Sequence, residues 1–168
     1  MDMGHLPPQE YYRTLPRHIA AAGAVFHDTS GRILLVKPSY RTTWQLPGGA
    51  MEEGEYPLQT AAREVMEEVG LELTSGRLLA VDWAPAQDDG RPAQASYAFD
   101  GGHLDGGEAR QRVRLQPGEL TGWTMAGPDE WDTLLAPHTE RRIRACLEAL
   151  AVGGTAYLHH GWPVTPAS

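Results

Sequence analysis

One short segment of this chain leaves little room for any structure other than a helix. Pro57 suits the first helical position, where its missing N–H costs nothing, and Gly70 suits a left-handed C-cap. Between them the apolar residues recur at the spacing of a single helix face: Leu58, Ala61, Ala62, Val65 and Val69. The sequence therefore predicts an amphipathic helix over residues 57–69, with its apolar side packed against a core.

Three glutamates share this helix. Glu64, Glu67 and Glu68 stand at i, i+3 and i+4, which places them within about 100° of one another beside the apolar stripe. Like charges at these spacings repel, so the helix itself gains nothing from them. Oxygen-only, charge-dense ligands suit Mg²⁺ or Mn²⁺ rather than zinc. The alternative is a solvated face in which Arg63 pairs with Glu67.

The segment around these glutamates resembles a known family. Gly48 and Gly49 precede the helix and leave the backbone open to a close approach by a metal–phosphate complex. Residues 49–71 read GAMEEGEYPLQTAAREVMEEVGL and resemble the Nudix box, G-x5-E-x7-R-E-U-x-E-E-x-G-U, where U is a bulky aliphatic residue. Every defined position is filled: Gly49, Glu55, Arg63, Glu64, Val65, Glu67, Glu68, Gly70 and Leu71.

The resemblance implies an α+β fold, an α/β/α sandwich with a mixed β-sheet. It also implies hydrolysis of a nucleoside diphosphate linked to another moiety, with Mg²⁺ as cofactor and Mn²⁺ as an alternative. Glu67 and Glu68 would be the main metal ligands, and Glu64 would bind metal or help to activate water. Arg63 would brace the glutamates, and Gly49 would contribute backbone to the metal site.

The remaining pattern predicts strands on both sides of the helix and two helices late in the chain. Strands are expected at 18–26, 32–37, 76–83, 93–99 and 120–125, and helices near 128–130 and at 139–152. The first two strands read as a hairpin, and residues 101–107 as a mobile loop. The domain is expected to span 18–152, between an N-terminal arm at 1–17 and a C-terminal tail at 153–168.

Further candidate site residues lie outside the helix. Nudix proteins often take another carboxylate from a loop or strand, and Glu119 is favoured over Glu108 because it precedes a strand. Arg41, in the loop before the box, could meet substrate phosphates. Tyr97 and Phe99 share one face of a strand and could stack on a base, with core packing as the alternative.

Other features favour ordinary structural interpretations. Arg110, Arg112 and Arg114 alternate and would share one face of a strand, as a solvated surface rather than a phosphate clamp. The neighbouring His159 and His160 have no third ligand spaced with them. Cys146 recurs with apolar neighbours at helical spacing, which indicates a core thiol.

Composition limits the possible partners. A net charge of −8 gives no broad attraction to nucleic acid polymers or to anionic membranes, so a small nucleotide-like substrate is expected. The first sixteen residues lack the apolar run of a signal peptide, which predicts a cytoplasmic protein. A homodimer is the commonest closed assembly and is the expected one if the chain associates.

Several functions remain open at this point. Nucleoside triphosphates, ADP-ribose and sugar nucleotides are the leading substrate classes, because the box builds the cleavage centre and leaves the rest of the substrate undetermined. A catalytically silent module that keeps the fold for ligand binding is the alternative, although a pure binder has no need of clustered carboxylates. A structural protein would leave the glutamates unexplained. An isoprenoid diphosphate isomerase would need a catalytic cysteine, and Cys146 on a late helix is badly placed for one.

Overall fold

The computed structural model describes residues 6–165. The helices are α1 (Pro8–Thr14), α2 (Pro57–Val69), α3 (Gly106–Arg112), α4 (Trp131–Leu134) and α5 (Pro137–Val152). The strands are β1 (Ile19–His27), β2 (Ile33–Pro38), β3 (Gly48–Ala50), β4 (Leu78–Ala84), β5 (Gln94–His103), β6 (Leu120–Ala126), β7 (Ala156–His159) and β8 (Trp162–Pro163). None of the helices between residues 6 and 165 combines the length and the apolar character needed to cross a bilayer.

The strands form one mixed sheet. Its order is β6-β2-β1-β5-β4-β7-β8, and β3 pairs with β1 beside this path. β1 runs parallel to β5 and β4 runs parallel to β7, while the other pairs are antiparallel. The hairpin predicted for the first two strands is confirmed by their antiparallel pairing. The sheet is open, so its last strand on each side is an edge.

Both faces of the sheet are covered, which explains the continuous apolar runs of β1 and β2. Successive side chains point to opposite faces, so Val25 joins the cluster under α5 while Ala24 joins the cluster under α2. Cys146 is fully buried in the α5 cluster, as expected for a core thiol. Helices on both sides of a mixed sheet confirm the predicted α/β/α sandwich.

Helix α2 has the bounds that the sequence predicts. Gly70 ends it in the left-handed conformation, with φ of 69°, and the Gly70 amide donates to the carbonyl of Met66 at 3.0 Å. Its apolar stripe is buried: Ala61, Val65 and Val69 have no exposed surface. This burial fixes the rotation of α2 and so decides where its glutamates point.

The segment after β5 differs from the prediction. β5 continues to His103, and residues 106–112 form α3. Most of residues 101–107, which were predicted to form a mobile loop, therefore belong to a strand or a helix. The reason is Asp105, whose side chain accepts from the amides of Gly107 at 2.7 Å and Glu108 at 2.9 Å and so caps the helix. The alternating arginines therefore do not share a strand face, since Arg110 and Arg112 lie two positions apart on a helix.

The predicted tail also contributes to the sheet. Residues 156–163 form a hairpin whose first strand pairs with β4, and Leu158 is fully buried in the cluster under α5. Such a short strand has too little periodicity to be recognised without its partner. The first five residues of the predicted arm and the last three of the tail lie outside the described residues.

The turn between β1 and β2 depends on Asp28. Its Oδ1 accepts from the amides of Ser30 at 2.9 Å and Arg32 at 3.0 Å, and its Oδ2 accepts from Arg32 Nε at 2.8 Å. Burial raises the pKa of Asp28, but these bonds and one from the Ser30 hydroxyl outweigh it and lower the pKa to about 2. The ionised carboxylate is therefore the form that stabilises the fold.

A pH titration of stability should show this. Because the pKa is about 2 in the fold against 3.8 in the unfolded chain, the stabilisation is complete above pH 3.8 and is lost as the pH falls towards 2. Asp28→Asn should lower the free energy of unfolding by about 1–2 kcal/mol at pH 7 and less at pH 2.5. Urea unfolding at both pH values measures this, with exposed Asp88→Asn as the control. An equal loss at both values would contradict it.

Candidate active site

Two glycines bring the backbone of β3 against α2. A Cβ on Gly48, whose φ is +151°, would lie 2.4 Å from the carbonyl oxygen of Ala22 on β1. A Cβ on Gly49 would lie 2.4 Å from the carboxyl carbon of Glu64. Real Cβ atoms do not approach that closely, so a side chain at Gly48 would clash with the backbone of β1, and one at Gly49 would displace the Glu64 carboxylate. The glycine pair therefore allows the Glu64 carboxylate to rest on the backbone of β3.

Arg63 stands at the centre of the carboxylate cluster. Its Nε donates to Glu55 Oε1 at 2.6 Å, and its Nη1 donates to Glu64 Oε1 at 2.8 Å and to Glu67 Oε2 at 3.2 Å. Its Nη2 donates to the carbonyl of Ala50 at 3.2 Å. The bond from Arg63 is the largest cause that lowers the pKa of Glu55, to about 2, and the same bond raises the pKa of Arg63. Arg63 thus links the loop before α2 to its glutamates.

Glu68 is the buried member of the cluster. Only 6% of the residue is exposed, and its Oε2 accepts from the Gly48 amide at 2.9 Å. Burial raises the pKa of Glu68 to about 7, and the nearby carboxylates of Glu64, Glu119 and Glu67 add to the rise against the Gly48 bond. A buried carboxylate surrounded by other carboxylates is a position where a bound cation would relieve repulsion.

The donor chemistry of this cluster fits a divalent metal ion. Carboxylate oxygens with a bare glycine backbone beside them match the hard-oxygen preference of Mg²⁺ and Mn²⁺. Within residues 6–165, however, no three His, Cys, Asp or Glu side chains converge in a metal-binding arrangement. Glu64 and Glu67 are turned towards Arg63, so binding a metal requires at least the half-exposed Glu67 to release that contact.

A cavity of about 410 Å³ begins at the glycine pair and crosses the sheet face below α5. Arg41 and Tyr97 line it, as a substrate-binding role would require. Phe99 does not: it is 6% exposed and packs with Ala22 and Ala61 in a core cluster. Of the two aromatic candidates, Tyr97 alone lines the cavity, and it also packs against the same core cluster as Phe99.

The other candidates lie in different places. Glu119 is close enough to Glu68 to raise its pKa, whereas the Glu108 carboxylate accepts from the Asp105 amide at 3.2 Å and closes the cap of α3. Glu119 therefore stays a candidate ligand and Glu108 does not. His159 pairs with Trp162 in the C-terminal hairpin, and the His160 ring lies 5.0 Å from the ring of His138.

The sequence does not predict two residues of α5 that line the cavity, His138 and Arg142. It also does not predict that the buried Asp82 binds Arg142. Asp82 carries a signal, since a single acid interrupts the apolar run LLAVDWA of β4. A buried charge in a strand needs a partner, but the sequence does not say which of thirteen arginines supplies it. Arg142 carries no signal, because arginines are common along α5.

Replacing Gly49 by alanine tests the contact with Glu64. The added Cβ should displace the Glu64 carboxylate. If Glu64 has the catalytic role that the resemblance implies, turnover should fall by about 10-fold or more, because small misplacements of reacting groups are costly. The melting temperature should change little, since the Glu64 side chain is the atom group that moves. Turnover and thermal unfolding are measured together, with Gly106→Ala at the start of α3 as the control. Full activity in Gly49→Ala would show that Glu64 is not needed where it lies.

Comparison with known proteins agrees with this architecture. Residues 17–146 match the family model described as NUDIX domain. Among curated proteins, a MutT-like protein of Streptomyces ambofaciens is 36% identical over 74 residues, which are 44% of this chain and 47% of that protein. An ADP-ribose pyrophosphatase of Mycobacterium tuberculosis is 39% identical over 84 residues, which are 46% of this chain and 40% of that protein. An RNA pyrophosphohydrolase of a Psychrobacter species is 41% identical over 61 residues, which are 36% of this chain and 35% of that protein.

The matches to these curated proteins span less than half of their length. Solved structures match over more of the chain. A UDP-X diphosphatase superposes with a TM-score of 0.68 at 21% identity, over 91% of this chain and 75% of that one. A MutT NUDIX hydrolase of Burkholderia pseudomallei gives 0.63 at 24% identity, over 79% and 97%. By its family-model match, its complete box and its fold, this chain belongs to the Nudix hydrolase family.

Proposed function

We propose that this chain hydrolyses a diphosphate bond in a small nucleoside diphosphate derivative, with Mg²⁺ as the metal and Mn²⁺ as a substitute. The observation that carries the proposal is the buried Glu68, which lies among other carboxylates at the glycine pair where the cavity begins. The glycines that contact Glu64 and Glu68 also line the cavity, so a diphosphate that enters it would come close to a metal held by these carboxylates.

Each box residue has a task in this proposal. Glu67 and Glu68 would hold the metal together with the backbone of Gly49, and Glu119 is the candidate for a further ligand. Bound Mg²⁺ would neutralise nonbridging phosphate oxygens and lower the pKa of a coordinated water. Arg63 would give up its contact with Glu67 when the metal binds. Its other contacts would keep the glutamates in place.

Glu64 is the candidate for proton transfer. Its Oε1 accepts from Arg63 at 2.8 Å, its Oε2 accepts no hydrogen bond within the described residues, and the carboxylate lies against Gly49, which lines the cavity. Oε2 is therefore the atom that we propose receives the proton of the attacking water. Proton transfer to a positioned carboxylate contributes about 10²–10⁴-fold to such reactions.

The cavity supports a small substrate. At about 410 Å³ it can enclose a nucleoside-sized group, and Arg41 at its wall can meet phosphate oxygens. The net charge of −8 opposes a nucleic acid polymer, so the RNA named for one relative is a weaker candidate than ADP-ribose, sugar nucleotides or nucleoside triphosphates.

Turnover with Mg²⁺ tests the proposal. Nucleoside triphosphates, ADP-ribose, sugar nucleotides, dinucleoside polyphosphates and a 5′-triphosphorylated oligoribonucleotide would be incubated separately. Inorganic pyrophosphatase would reveal diphosphate released from the triphosphates, and alkaline phosphatase would reveal monophosphates released from substrates without a terminal phosphate. We expect hydrolysis of one small-molecule class that chelation abolishes and Mg²⁺ restores. If no compound is hydrolysed while one of them raises the melting temperature, the catalytically silent binding module would replace this proposal.

A further inference from the structure

We infer that Arg142 is an anion-binding and specificity-determining residue of the cavity, held in place by Asp82, and that the preferred substrate carries an extra carboxylate or phosphate monoester on the group that enters it. This inference deepens the proposed function and rests on it for the statement that the cavity receives substrate. The ligand class follows from how Arg142 is held and from the charges around it.

Asp82 fixes one edge of the Arg142 guanidinium. The Asp82 side chain has no exposed surface, and its Oδ2 accepts from Arg142 Nε at 2.7 Å. Its other oxygen, Oδ1, accepts from the Gly161 amide at 3.0 Å, so both carboxylate oxygens are engaged. A buried carboxylate with two directed donors holds the guanidinium plane in one orientation.

The Nη1 and Nη2 groups of Arg142 are free to bind a ligand. Between residues 6 and 165, neither Nη1 nor Nη2 of Arg142 makes a hydrogen bond, and neither is a buried atom without a partner. Arg142 lines the cavity, so these N–H groups remain accessible to whatever enters it. A rigid guanidinium with two free Nη groups suits bidentate binding of a carboxylate or a phosphate.

The charges around the cavity favour an anion. Within the described range its lining contains three arginines, Arg41, Arg91 and Arg142, and no aspartate or glutamate. Arg91 pairs with Asp89 at 2.6 Å, while Arg41 has no carboxylate within ion-pair distance among residues 6–165. Burial lowers the pKa of His138 to about 4, helped by the Arg142 charge, so the neighbouring imidazole is neutral at pH 7.

The C-terminal hairpin takes part in holding Arg142. Gly161 adopts φ of +79°, and a Cβ there would lie 2.6 Å from the carbonyl oxygen of His138, so the turn packs directly on the start of α5. The family match ends at residue 146. The amide that engages Asp82 therefore comes from a segment beyond the residues that the family model matches.

Matched substrate pairs test the inference. UDP-glucuronate and UDP-glucose differ by one carboxylate, and NADPH and NADH differ by one phosphate monoester. We expect the wild-type enzyme to give a higher kcat/KM for the anionic member of at least one pair, and the responding pair identifies the anion. In Asp82→Asn/Arg142→Gln, which removes both charges of the buried pair together, that preference should fall by about tenfold or more through KM.

Two further variants control for folding and for net charge. Arg142→Lys keeps the charge but loses the planar fork, so the preference should fall without a loss of fold. Arg144→Gln removes a charge from the same helix at a side chain outside the cavity and should leave the preference unchanged. Melting temperatures are recorded for all variants, and only folded ones are compared.

Two results would overturn the inference: a wild type that prefers neither anionic member, or a preference that survives intact in the folded double variant. If neither pair is hydrolysed, calorimetric binding of the same four compounds is judged by the same criteria. The hydrolase proposal is tested separately by turnover of the wider panel. Failure of the Arg142 inference can therefore be distinguished from failure of the hydrolase proposal.

Discussion

Replacing Glu67 and Glu68 together by glutamine is expected to lower Mg²⁺-dependent turnover by about 10³-fold or more, since losing even one preorganised charge-stabilising group costs about 10²–10³-fold. Glutamine keeps the size of both side chains, and at position 68 its carbonyl oxygen can still accept from the Gly48 amide. The substitution therefore removes charge from the cluster and leaves its packing in place.

Stability should move in the opposite direction. Burial raises the pKa of Glu68 to about 7, and the neighbouring carboxylates add to the rise, so a neutral side chain here removes the cost of burying a charge in the unliganded protein. We expect Glu68→Gln to leave the melting temperature equal to or above that of the wild type without metal. Added Mg²⁺ should stabilise the wild type and not the double variant, because only a state that binds the ion gains from it.

Turnover, melting temperature and Mg²⁺ calorimetry together measure this prediction. Glu53→Gln is the matched control, since Glu53 is an exposed glutamate in the loop before α2. Hydrolysis that persists in the double variant would place the metal site elsewhere. A double variant that unfolds would indicate that these carboxylates stabilise the fold and would contradict this prediction.

Removing the carboxylate of Asp82 is expected to destabilise the fold strongly. Asp82→Ala leaves the partly exposed Arg142 charge without its partner and the Gly161 amide without an acceptor, for which the expected loss is about 3 kcal/mol of unfolding free energy. The double variant Asp82→Asn/Arg142→Gln should lose clearly less, because no unpaired charge remains.

Urea unfolding of the two variants checks the difference. The exposed Asp88→Ala provides the control for removing an acid from this region. If Asp82→Ala and the double variant lose the same free energy, the ion pair is not the cause and the packing of β4 is. If Asp82→Ala loses less than about 1 kcal/mol, water reaches the site and the pair behaves as an exposed one.

The sequence alone predicts the position of helix α2, and with it the positions of the glutamates along that helix. Proline at the start, glycine at the end and a regular apolar stripe determine α2 locally, so its bounds agree with the prediction. β1 and β2 are also recognisable, because burial on both faces produces unbroken apolar runs. The family and the sandwich fold follow from these elements.

The errors have a different origin. α3 was not predicted because glycines at 106 and 107 are typical of a loop. The Asp105 side chain that caps the helix can be recognised only from its position relative to the amides of the first turn. The hairpin at 156–163 was hidden because its strands are short and are stabilised by contact with β4. Arg142 and Asp82 are sixty residues apart, so their bond is a product of tertiary structure that no local pattern reports. Local signals thus predict α2 and its glutamates, while the arrangement of the cavity depends on long-range contacts.

The C-terminal hairpin also covers an edge of the sheet that β4 would otherwise form. Without it, β4 would be the last strand on its side and would offer a row of open backbone groups to any other chain. With it, the sheet ends in β8, a strand of two residues, one of which is Pro163 and cannot donate a backbone bond. A version truncated at the end of the family match would expose β4 and cut α5, and it should aggregate at concentrations where the full chain stays dispersed.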